Sequence, residues 1–204
     1  MTKKREERLR ILTQTDQPLW DQGVCFAGMD EAGRGPLAGN VVAACVIMPP
    51  SPLLAWVDDS KKLSPARRDQ VYDEIMATAL FMGVGQADPE EIDRINILEA
   101  TKNAMRRAAE NAPATLFLLD ALSNLGLHGE ERGIIHGDAL SYSIAAASII
   151  AKVTRDRQLL ALDQQYPGYG FAQHKGYGTA QHIAALKTLG PCPAHRKTFI
   201  GHFV

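Results

Sequence analysis

Three short apolar runs of this chain each end directly on acidic residues, and this pattern constrains the fold more than any other feature of the sequence. The runs and the acids that follow them are residues 24–29 before Asp30 and Glu31, residues 115–119 before Asp120, and residues 134–137 before Asp138. Runs of this length and composition predict short buried strands. Because neighbouring strands bring their ends to a common edge of a sheet, we expect the four carboxylates to converge there.

The remaining pattern predicts a mixed α/β protein with one central sheet. Val41–Met48 is almost continuously apolar, as in a buried strand, and Ser64-Pro65 and Asp88-Pro89 are typical helix starts. Further predicted elements are strands at 81–86 and 132–135 and helices from 88 to about 112, from 141 to 165 and from 179 to 189. We expect residues 21–204 to form one domain, preceded by a loosely ordered N-terminal arm at residues 1–20 that contains at most one short helix, at residues 3–12.

Composition and charge exclude several classes of protein. The net charge of −1 argues against a passive nucleic-acid coat protein, which carries a strong basic excess. No apolar run reaches the ~18 residues of a membrane span and no secretory signal is recognisable, so we expect a cytoplasmic location and no membrane partner. Cys25, Cys45 and Cys192 contain no CxxC pair. They predict reduced thiols rather than a zinc site, with Cys25 and Cys45 buried in strands.

The converging acids indicate a specific chemistry, although an ordinary alternative exists. Carboxylates that crowd together repel one another and cannot all remain ionised unless a cation joins them. Their oxygens favour Mg²⁺ or Mn²⁺, and two such ions about 4 Å apart activate a water and stabilise the leaving oxygen in phosphodiester hydrolysis. Acids at strand ends are also ordinary turn residues. The acids alone leave both interpretations open.

Three polar loops supply further candidate residues. Gly33-Arg34-Gly35 permits close backbone approach to a ligand, and its arginine is suited to bidentate phosphate binding. Lys61, at a loop-to-helix junction, suits a phosphate contact, and Tyr177 between two glycines suits stacking on a base or sugar. Each has a structural alternative: a simple turn, a solvated helix cap and a packing tyrosine. Neither GxGxxG nor GxxxxGK is present, so dinucleotide and P-loop sites are not indicated.

Five motifs in order resemble bacterial ribonuclease HII over residues 27–199, nearly the whole chain. They are GMDEAGRGPLAG at 28–39, DSKKLS at 59–64, residues 96–101, Gly137-Asp138 followed by IAAASIIAKVTRD at 144–156, and YGFAQHKGYGT at 169–179. The sister family, ribonuclease HIII, usually has glutamate at the fourth acidic position and carries an N-terminal substrate-binding domain. Asp138 at that position, and the short stretch before the first strand, favour ribonuclease HII.

The resemblance implies a ribonuclease H-like fold, with a mixed central sheet flanked by helices and a short C-terminal helical segment. It implies a metal-dependent endonuclease that hydrolyses the RNA of RNA–DNA hybrids and cuts 5′ of a single ribonucleotide in duplex DNA, leaving a 3′-hydroxyl and a 5′-phosphate. Such an activity serves ribonucleotide and primer removal in DNA repair and replication. The family's catalytic acids, which hold two Mg²⁺ or Mn²⁺ ions, fall on Asp30, Glu31, Asp120 and Asp138.

The resemblance also implies how substrate would be bound. Gly33, Arg34 and Gly35 would contact the 2′-hydroxyl, the group that separates RNA from DNA. Tyr177 would stack on the sugar after the RNA–DNA junction, and Lys61 would hold a phosphate. The implied partners are therefore RNA–DNA hybrids and ribonucleotide-containing duplex DNA.

The chain departs from the family's usual pattern in three places. Ala121 replaces the common glycine after the third acid, which restricts the turn, and Asp58 replaces a common asparagine, which adds negative charge near the phosphate site. Longer relatives carry helices beyond the position of Phe199 that grip the duplex, so we expect weaker and more salt-sensitive binding here. Residues 199–204 lack the glutamine and paired aromatics of a sliding-clamp peptide, and no coiled coil is evident, so we expect a monomer.

Two other functions are compatible with parts of the sequence. A non-catalytic binder of RNA–DNA hybrids would be expected to lack part of the acidic set, which is complete here. An α/β enzyme using the glycine turn and Mg²⁺ on a small phosphorylated substrate would leave Lys61, Tyr177 and Asp138 without a joint role. Cleavage of a duplex that contains one ribonucleotide would separate these functions.

Overall fold

The predicted strands form one mixed five-stranded sheet in the computed structural model, which describes residues 2–203. The strands are β1 (Phe26–Ala32), β2 (Val41–Ile47), β3 (Phe81–Ala87), β4 (Leu116–Asp120) and β5 (Glu130–Ile134). Their order is β3-β2-β1-β4-β5. β2 runs antiparallel to β1 and β3, whereas β1, β4 and β5 are parallel. The parallel part brings the ends of β1 and β4, with their acids, to one edge.

Helices cover both faces of the sheet. They are α1 (Lys3–Asp21), α2 (Pro65–Thr78), α3 (Pro89–Ile95), α4 (Ile97–Ala109), α5 (Gly137–Leu140), α6 (Tyr142–Gln165), α7 (Phe171–His174), α8 (Ala180–Leu189) and α9 (Lys197–Ile200). Along β2, Ala43 and Cys45 pack with α4, whereas Ala44 and Val46 pack with α6. This alternation explains why β2 is apolar throughout, because a strand covered on both faces has no solvent side.

Helix α6 lies unusually close to the sheet. Its Ala145–Ala147 segment is fully buried, and side chains this small allow the helix to approach the sheet closely. At Gly28 of β1, an added Cβ would lie 2.1 Å from the backbone carbon of Ser143. Glycine is therefore required where the helix backbone crosses the strand, two residues before Asp30.

The N-terminal segment differs from our expectation of a loosely ordered arm. Residues Lys3–Asp21 form one helix, α1, in which Leu9, Leu12 and Leu19 are buried. The polar composition hid this apolar stripe, which is narrow but helically spaced. In addition, Asp58 forms ion pairs with Arg5 and Arg8 of α1, at 2.9 and 2.6 Å. The negative charge that departs from the family pattern is thus compensated. Met1 and Val204, the ends of the two predicted segments, lie outside the described residues.

Three smaller predictions need correction. The helix predicted from 88 to 112 is two helices, because Asn96 has a φ of 70° and its side chain caps α4 by accepting the N–H of Leu98 at 2.9 Å. Between the helices predicted at 141–165 and 179–189, where no element was predicted, the structure contains the short helix α7. Cys25 is exposed rather than buried, while Cys45 is buried and Cys192 is half-buried, and all three thiols are free.

Among the helices of residues 2–203, none is long and apolar enough to cross a bilayer.

Candidate active site

Three of the four predicted acids converge at the edge of the sheet. Asp30, Asp120 and Asp138 each offer a carboxylate oxygen, and these oxygens lie within 4.8 Å of one another. Met29 pairs with Leu119 in the parallel β1–β4 ladder, so the next residues, Asp30 and Asp120, lie side by side. Asp138 reaches them from the first turn of α5, which follows β5 directly. The convergence at strand ends agrees with the sequence prediction.

Burial and mutual repulsion disfavour the ionised form of these acids. Asp30 is only 6% exposed, and burial, followed by the charges of Glu31 and Asp120, raises the pKa of Asp30 well above its ordinary value. Burial, then Asp59 and Asp120, raises the pKa of Asp138. A divalent cation would remove this penalty, since it favours the charged form of every carboxylate around it. The donor set therefore fits Mg²⁺ or Mn²⁺.

Glu31 lies outside the cluster of three carboxylates. Successive strand residues point to opposite faces, which separates Glu31 from Asp30. Its Oε1 accepts a hydrogen bond from Arg34 at 3.4 Å, and its buried Oε2 has no hydrogen-bond partner in the described structure. Burial raises the pKa of Glu31, and Arg34 offsets part of this effect. An orphaned carboxylate oxygen beside three crowded acids is a further sign of a cation-binding site.

The predicted substrate-binding residues line a single cavity of about 300 Å³ with two of the acids. The cavity wall consists of Asp30, Glu31, Ala32, Gly33, Arg34, Gly35, Ser60, Lys61, Ser148, Lys152, Arg155 and Tyr177. The Lys61 ammonium lies 3.9 Å from Asp138. Partial burial acts against its charge, but Asp138 and Asp59 outweigh burial and raise the pKa of Lys61. Tyr177 is 48% exposed, so its ring is available to a ligand.

Sequence reasoning missed Lys152 and Arg155 of α6. Together with Ser148 they recur at i, i+4 and i+7, which places them on one face of the helix, and this spacing was the available signal. Lys152 is held by Asp156 at 2.6 Å. Arg155 is fully buried and donates to the backbone carbonyl of Asn40 at 3.0 Å. The cavity thus contains cations opposite its acids, as a site for a phosphodiester requires.

The glycine turn is shaped by its neighbours. Gly33 has a φ of +99°, and an added Cβ there would lie 2.1 Å from Nε of Arg155. At Gly35 an added Cβ would meet only the Tyr177 ring, at 3.9 Å. The turn is therefore closed on its inner side, where Arg155 packs, and open toward Tyr177.

Ala121, which follows the third acid, adopts the left-handed conformation that glycine favours. Its φ is 52°, and its N–H donates to the Ile134 carbonyl at 3.1 Å. For a residue with a Cβ this conformation costs roughly 1 kcal/mol. Asp120 is held in place next to this turn because its Oδ1 accepts the Gly137 N–H at 2.7 Å.

A chain of buried histidines lies behind Tyr177. Nδ1 of His182 is 2.9 Å from the Tyr177 carbonyl, which can only accept, so this nitrogen carries the proton. Nε2 of neutral His182 must then accept from Nε2 of His195, 3.0 Å away. His195 in turn accepts the Cys192 N–H at its Nδ1, at 3.0 Å. Each ring is thus neutral, and protonation would break one link of the chain.

These histidines make stability depend on pH. Burial lowers the pKa of His195 from its ordinary 6.5 to about 4. The unfolded chain therefore binds the proton first, so the stabilisation is complete above pH 6.5 and is lost as the pH falls toward 4. We expect this group alone to lower the free energy of unfolding by about 2 kcal/mol between pH 7 and 4.5.

Urea denaturation of the wild type and of His195→Gln at both pH values measures this contribution. The variant should lose less stability on acidification, whereas His202→Gln at the exposed C-terminal end should behave as the wild type. An equal loss in wild type and His195→Gln would show that another group carries the acid sensitivity.

Known proteins share this architecture. The family model for ribonuclease HII matches residues 27–202. The chain is 59% identical over 179 residues to the ribonuclease HII of Geobacter sp. (strain M21), which covers 86% of this chain and 77% of that protein. The crystal structure of ribonuclease H2 from Pyrococcus horikoshii OT3 is 27% identical, has a TM-score of 0.71, and the match covers 87% of this chain and 98% of that chain.

A more distant structure bears on the fold alone. Bst-RNase HIII, solved in complex with Mn²⁺, is 19% identical, with a TM-score of 0.64 and coverage of 82% of this chain and 63% of that chain. These likenesses confirm the predicted fold class, a mixed sheet flanked by helices of the ribonuclease H type.

Proposed function

The chain belongs to the ribonuclease HII family and is a ribonuclease H of type HII, and from this premise we propose its substrates, products and site residues. It hydrolyses the RNA strand of RNA–DNA hybrids and cuts 5′ of a single ribonucleotide in duplex DNA, leaving a 3′-hydroxyl and a 5′-phosphate. One observation carries the proposal. The three clustered carboxylates adjoin a cavity that contains Gly33, Gly35 and Tyr177, so that cutting and recognition would occur in one place. The activity would serve ribonucleotide and primer removal.

The catalytic acids are Asp30, Glu31, Asp120 and Asp138, which would hold Mg²⁺ or Mn²⁺. When bound, two such ions would supply an activated water and compensate the charge on the leaving oxygen. The crowded carboxylates and the unpartnered Oε2 of Glu31 support this assignment. Because Lys61 lies 3.9 Å from Asp138, it would hold a substrate phosphate next to the acids.

Recognition of the ribonucleotide falls to the glycine turn and Tyr177. Gly33, Arg34 and Gly35 line the cavity together with Tyr177, and a Cβ added at Gly35 would lie 3.9 Å from the tyrosine ring. A sugar between them would place its 2′-hydroxyl against a backbone that no side chain shields. The exposed ring of Tyr177 would stack on the following sugar. Duplex DNA without a ribonucleotide would offer the turn no hydroxyl to bind.

The deciding experiment uses a labelled DNA duplex with one ribonucleotide, incubated with Mg²⁺ or with Mn²⁺. We expect a single cut 5′ of the ribonucleotide, with one product extended by a DNA polymerase because it ends in a 3′-hydroxyl. An all-DNA duplex of the same sequence is the control and should remain intact. Absence of cleavage with both metals would refute the proposed substrate.

Gly35→Ala tests whether the glycine turn contacts the ribonucleotide, without an expected change in the stability of the fold. A Cβ at this position would lie 3.9 Å from Tyr177 and would meet no other atom within 4 Å, so stability should change by less than about 0.5 kcal/mol. The methyl group would occupy the space between turn and ring, so kcat/KM for the single-ribonucleotide duplex should fall at least tenfold.

Steady-state kinetics measure the fall in kcat/KM of Gly35→Ala, and thermal unfolding measures its change in stability. Gly201→Ala is the matched control, since an added Cβ there meets none of the described residues 2–203 within 4 Å beyond its chain neighbours, and Gly201 does not line the cavity. Unchanged kinetics of Gly35→Ala would show that the turn does not approach the ribonucleotide.

A further inference from the structure

We propose that the segment Cys192–Arg196 positions the two halves of the ribonucleotide pocket relative to each other, with His195 and Arg196 as its positioning residues. This inference rests on the function proposed above. The two halves, the glycine turn after β1 and Tyr177 after α7, come from distant parts of the chain. The distance between the two halves must therefore be fixed by other parts of the fold, because the sugar of the ribonucleotide would bind between them.

Arg196 holds the first half. Its side chain is fully buried, and its guanidinium donates to the backbone carbonyls of Gly33 at 2.6 Å, Arg34 at 3.0 Å, Pro36 at 2.8 Å and Gly39 at 2.8 Å. Among the described residues, every acceptor of this guanidinium is a backbone carbonyl of residues 33–39. One planar fork thus constrains the whole turn.

Burying this cation is unfavourable in itself. Burial, with Arg155 nearby, lowers the pKa of Arg196 to about 9. A buried charge whose hydrogen-bond acceptors in the described structure are all neutral carbonyls is retained at a cost in stability. The cost is consistent with a role in the conformation of the turn rather than in stability alone.

Backbone pairing strengthens the same contact. The Arg196 N–H donates to the Leu37 carbonyl at 2.9 Å, and the Gly39 N–H donates to the Ala194 carbonyl at 2.8 Å. The segment therefore lies alongside the turn as a short antiparallel bridge between Ala38 and His195. The turn cannot shift without breaking both backbone and side-chain bonds.

His195 holds the second half. Its Nε2 donates to Nε2 of His182 at 3.0 Å, and Nδ1 of His182 donates to the Tyr177 carbonyl at 2.9 Å. Gly176, the residue before Tyr177, is also bonded directly to the segment that follows the glycine turn. Its carbonyl accepts the Leu37 N–H at 2.8 Å. Because both arms start from adjacent residues, His195 and Arg196, one segment is joined to both sides of the pocket and helps to set its width.

Arg196→Lys tests the first arm, because lysine keeps the charge but lacks the planar fork that reaches several carbonyls. Two constants are measured: kcat/KM for the single-ribonucleotide duplex, and the inhibition constant of an all-DNA duplex of the same sequence. We expect kcat/KM to fall at least tenfold while the inhibition constant stays within twofold. A DNA duplex would be bound through its phosphate backbone, and this contact does not use the ribonucleotide pocket.

A core variant controls for lost stability. Met105 of α4 is fully buried on the face of the sheet opposite α6. The substitution Met105→Ala should therefore lower Tm while it changes kcat/KM less than threefold. His182→Asn tests the second arm independently of Arg196. It keeps a donor for the Tyr177 carbonyl and loses the acceptor for His195, and it should reproduce the selective fall in kcat/KM.

The outcomes separate this inference from the function on which it rests. A wild-type protein that fails to cut the single-ribonucleotide duplex refutes the proposed function. If the wild type cuts, the inference is overturned when kcat/KM is unchanged in a folded Arg196→Lys, or when kcat/KM and the inhibition constant of the DNA duplex worsen in parallel. Should Arg196→Lys fail to fold, the same two criteria applied to His182→Asn decide.

Discussion

Asp30→Asn is expected to lower kcat for cleavage of a single-ribonucleotide duplex by at least about 10³-fold. Asparagine keeps the shape of the side chain and removes one charge from three carboxylates that lie within 4.8 Å of one another. The remaining acids would hold a divalent cation less tightly, because charge on oxygen ligands determines such binding. Initial rates over a range of Mg²⁺ and Mn²⁺ concentrations measure the loss and show how far added metal restores activity.

The same substitution should stabilise the metal-free protein. Burial, then Glu31 and Asp120, raises the pKa of Asp30 well above its ordinary value, so its ionised form opposes folding at neutral pH. Removing that charge should raise the free energy of unfolding of the metal-free protein, which thermal unfolding in the presence of a chelator measures as a higher Tm. A gain in stability with a loss of activity is the trade-off expected of an active-site residue.

Asp16→Asn is the matched control for Asp30→Asn. Asp16 is also buried, but it lies on α1, where it accepts the Ser143 N–H at 2.8 Å, and it does not line the cavity. Its replacement should leave kcat within about twofold. Cleavage by Asp30→Asn within tenfold of the wild type would overturn its assignment as a catalytic acid, and an equal loss in both variants would indicate structural damage.

The place where the acids meet was predictable because parallel strands end at the same edge of a sheet. Asp30 and Asp120 are neighbours at the end of the β1–β4 ladder, and Asp138 lies in the first turn of α5, shortly after β5. Glu31 was expected in the same cluster because it also follows the first apolar run and because the family resemblance places a catalytic acid there. Alternation along the strand instead directs it toward Arg34, so adjacency in sequence was a poor guide to adjacency of oxygens.

Residues that shape the pocket from behind could not be predicted in the same way. Arg155 and Arg196 are charged, so composition assigns them to the surface, yet both are fully buried. Their partners are carbonyls 115 and 163 positions away, which only the finished fold brings close. Helix α1 was missed for a related reason, since its three buried leucines are diluted by charged residues that face solvent.

Gly28→Ala is expected to have the largest effect on stability, lowering the free energy of unfolding by about 3 kcal/mol or more. An added Cβ would lie 2.1 Å from the backbone carbon of Ser143 and 2.3 Å from the backbone nitrogen of Ile144. These atoms belong to the α6 backbone, so no side-chain rotation can relieve the contact. The helix must instead move away from β1, against the close packing of the interior.

Movement of α6 would also alter the active site. The helix carries Ser148 and Lys152 on the cavity wall, while Asp30 lies two residues beyond Gly28 on the strand. We therefore expect Gly28→Ala to lose activity even at temperatures where it remains folded, because the two walls of the cavity separate.

Urea denaturation and cleavage assays at low temperature measure the two effects of Gly28→Ala. Gly201→Ala provides the comparison, since its added methyl group meets no described residue within 4 Å beyond the chain neighbours. It should change stability by less than about 0.5 kcal/mol. A decrease below 1 kcal/mol for Gly28→Ala would mean that the helix can retreat from the sheet at little cost. The distance between α6 and β1 would then not be what holds Ser148 and Lys152 against Asp30.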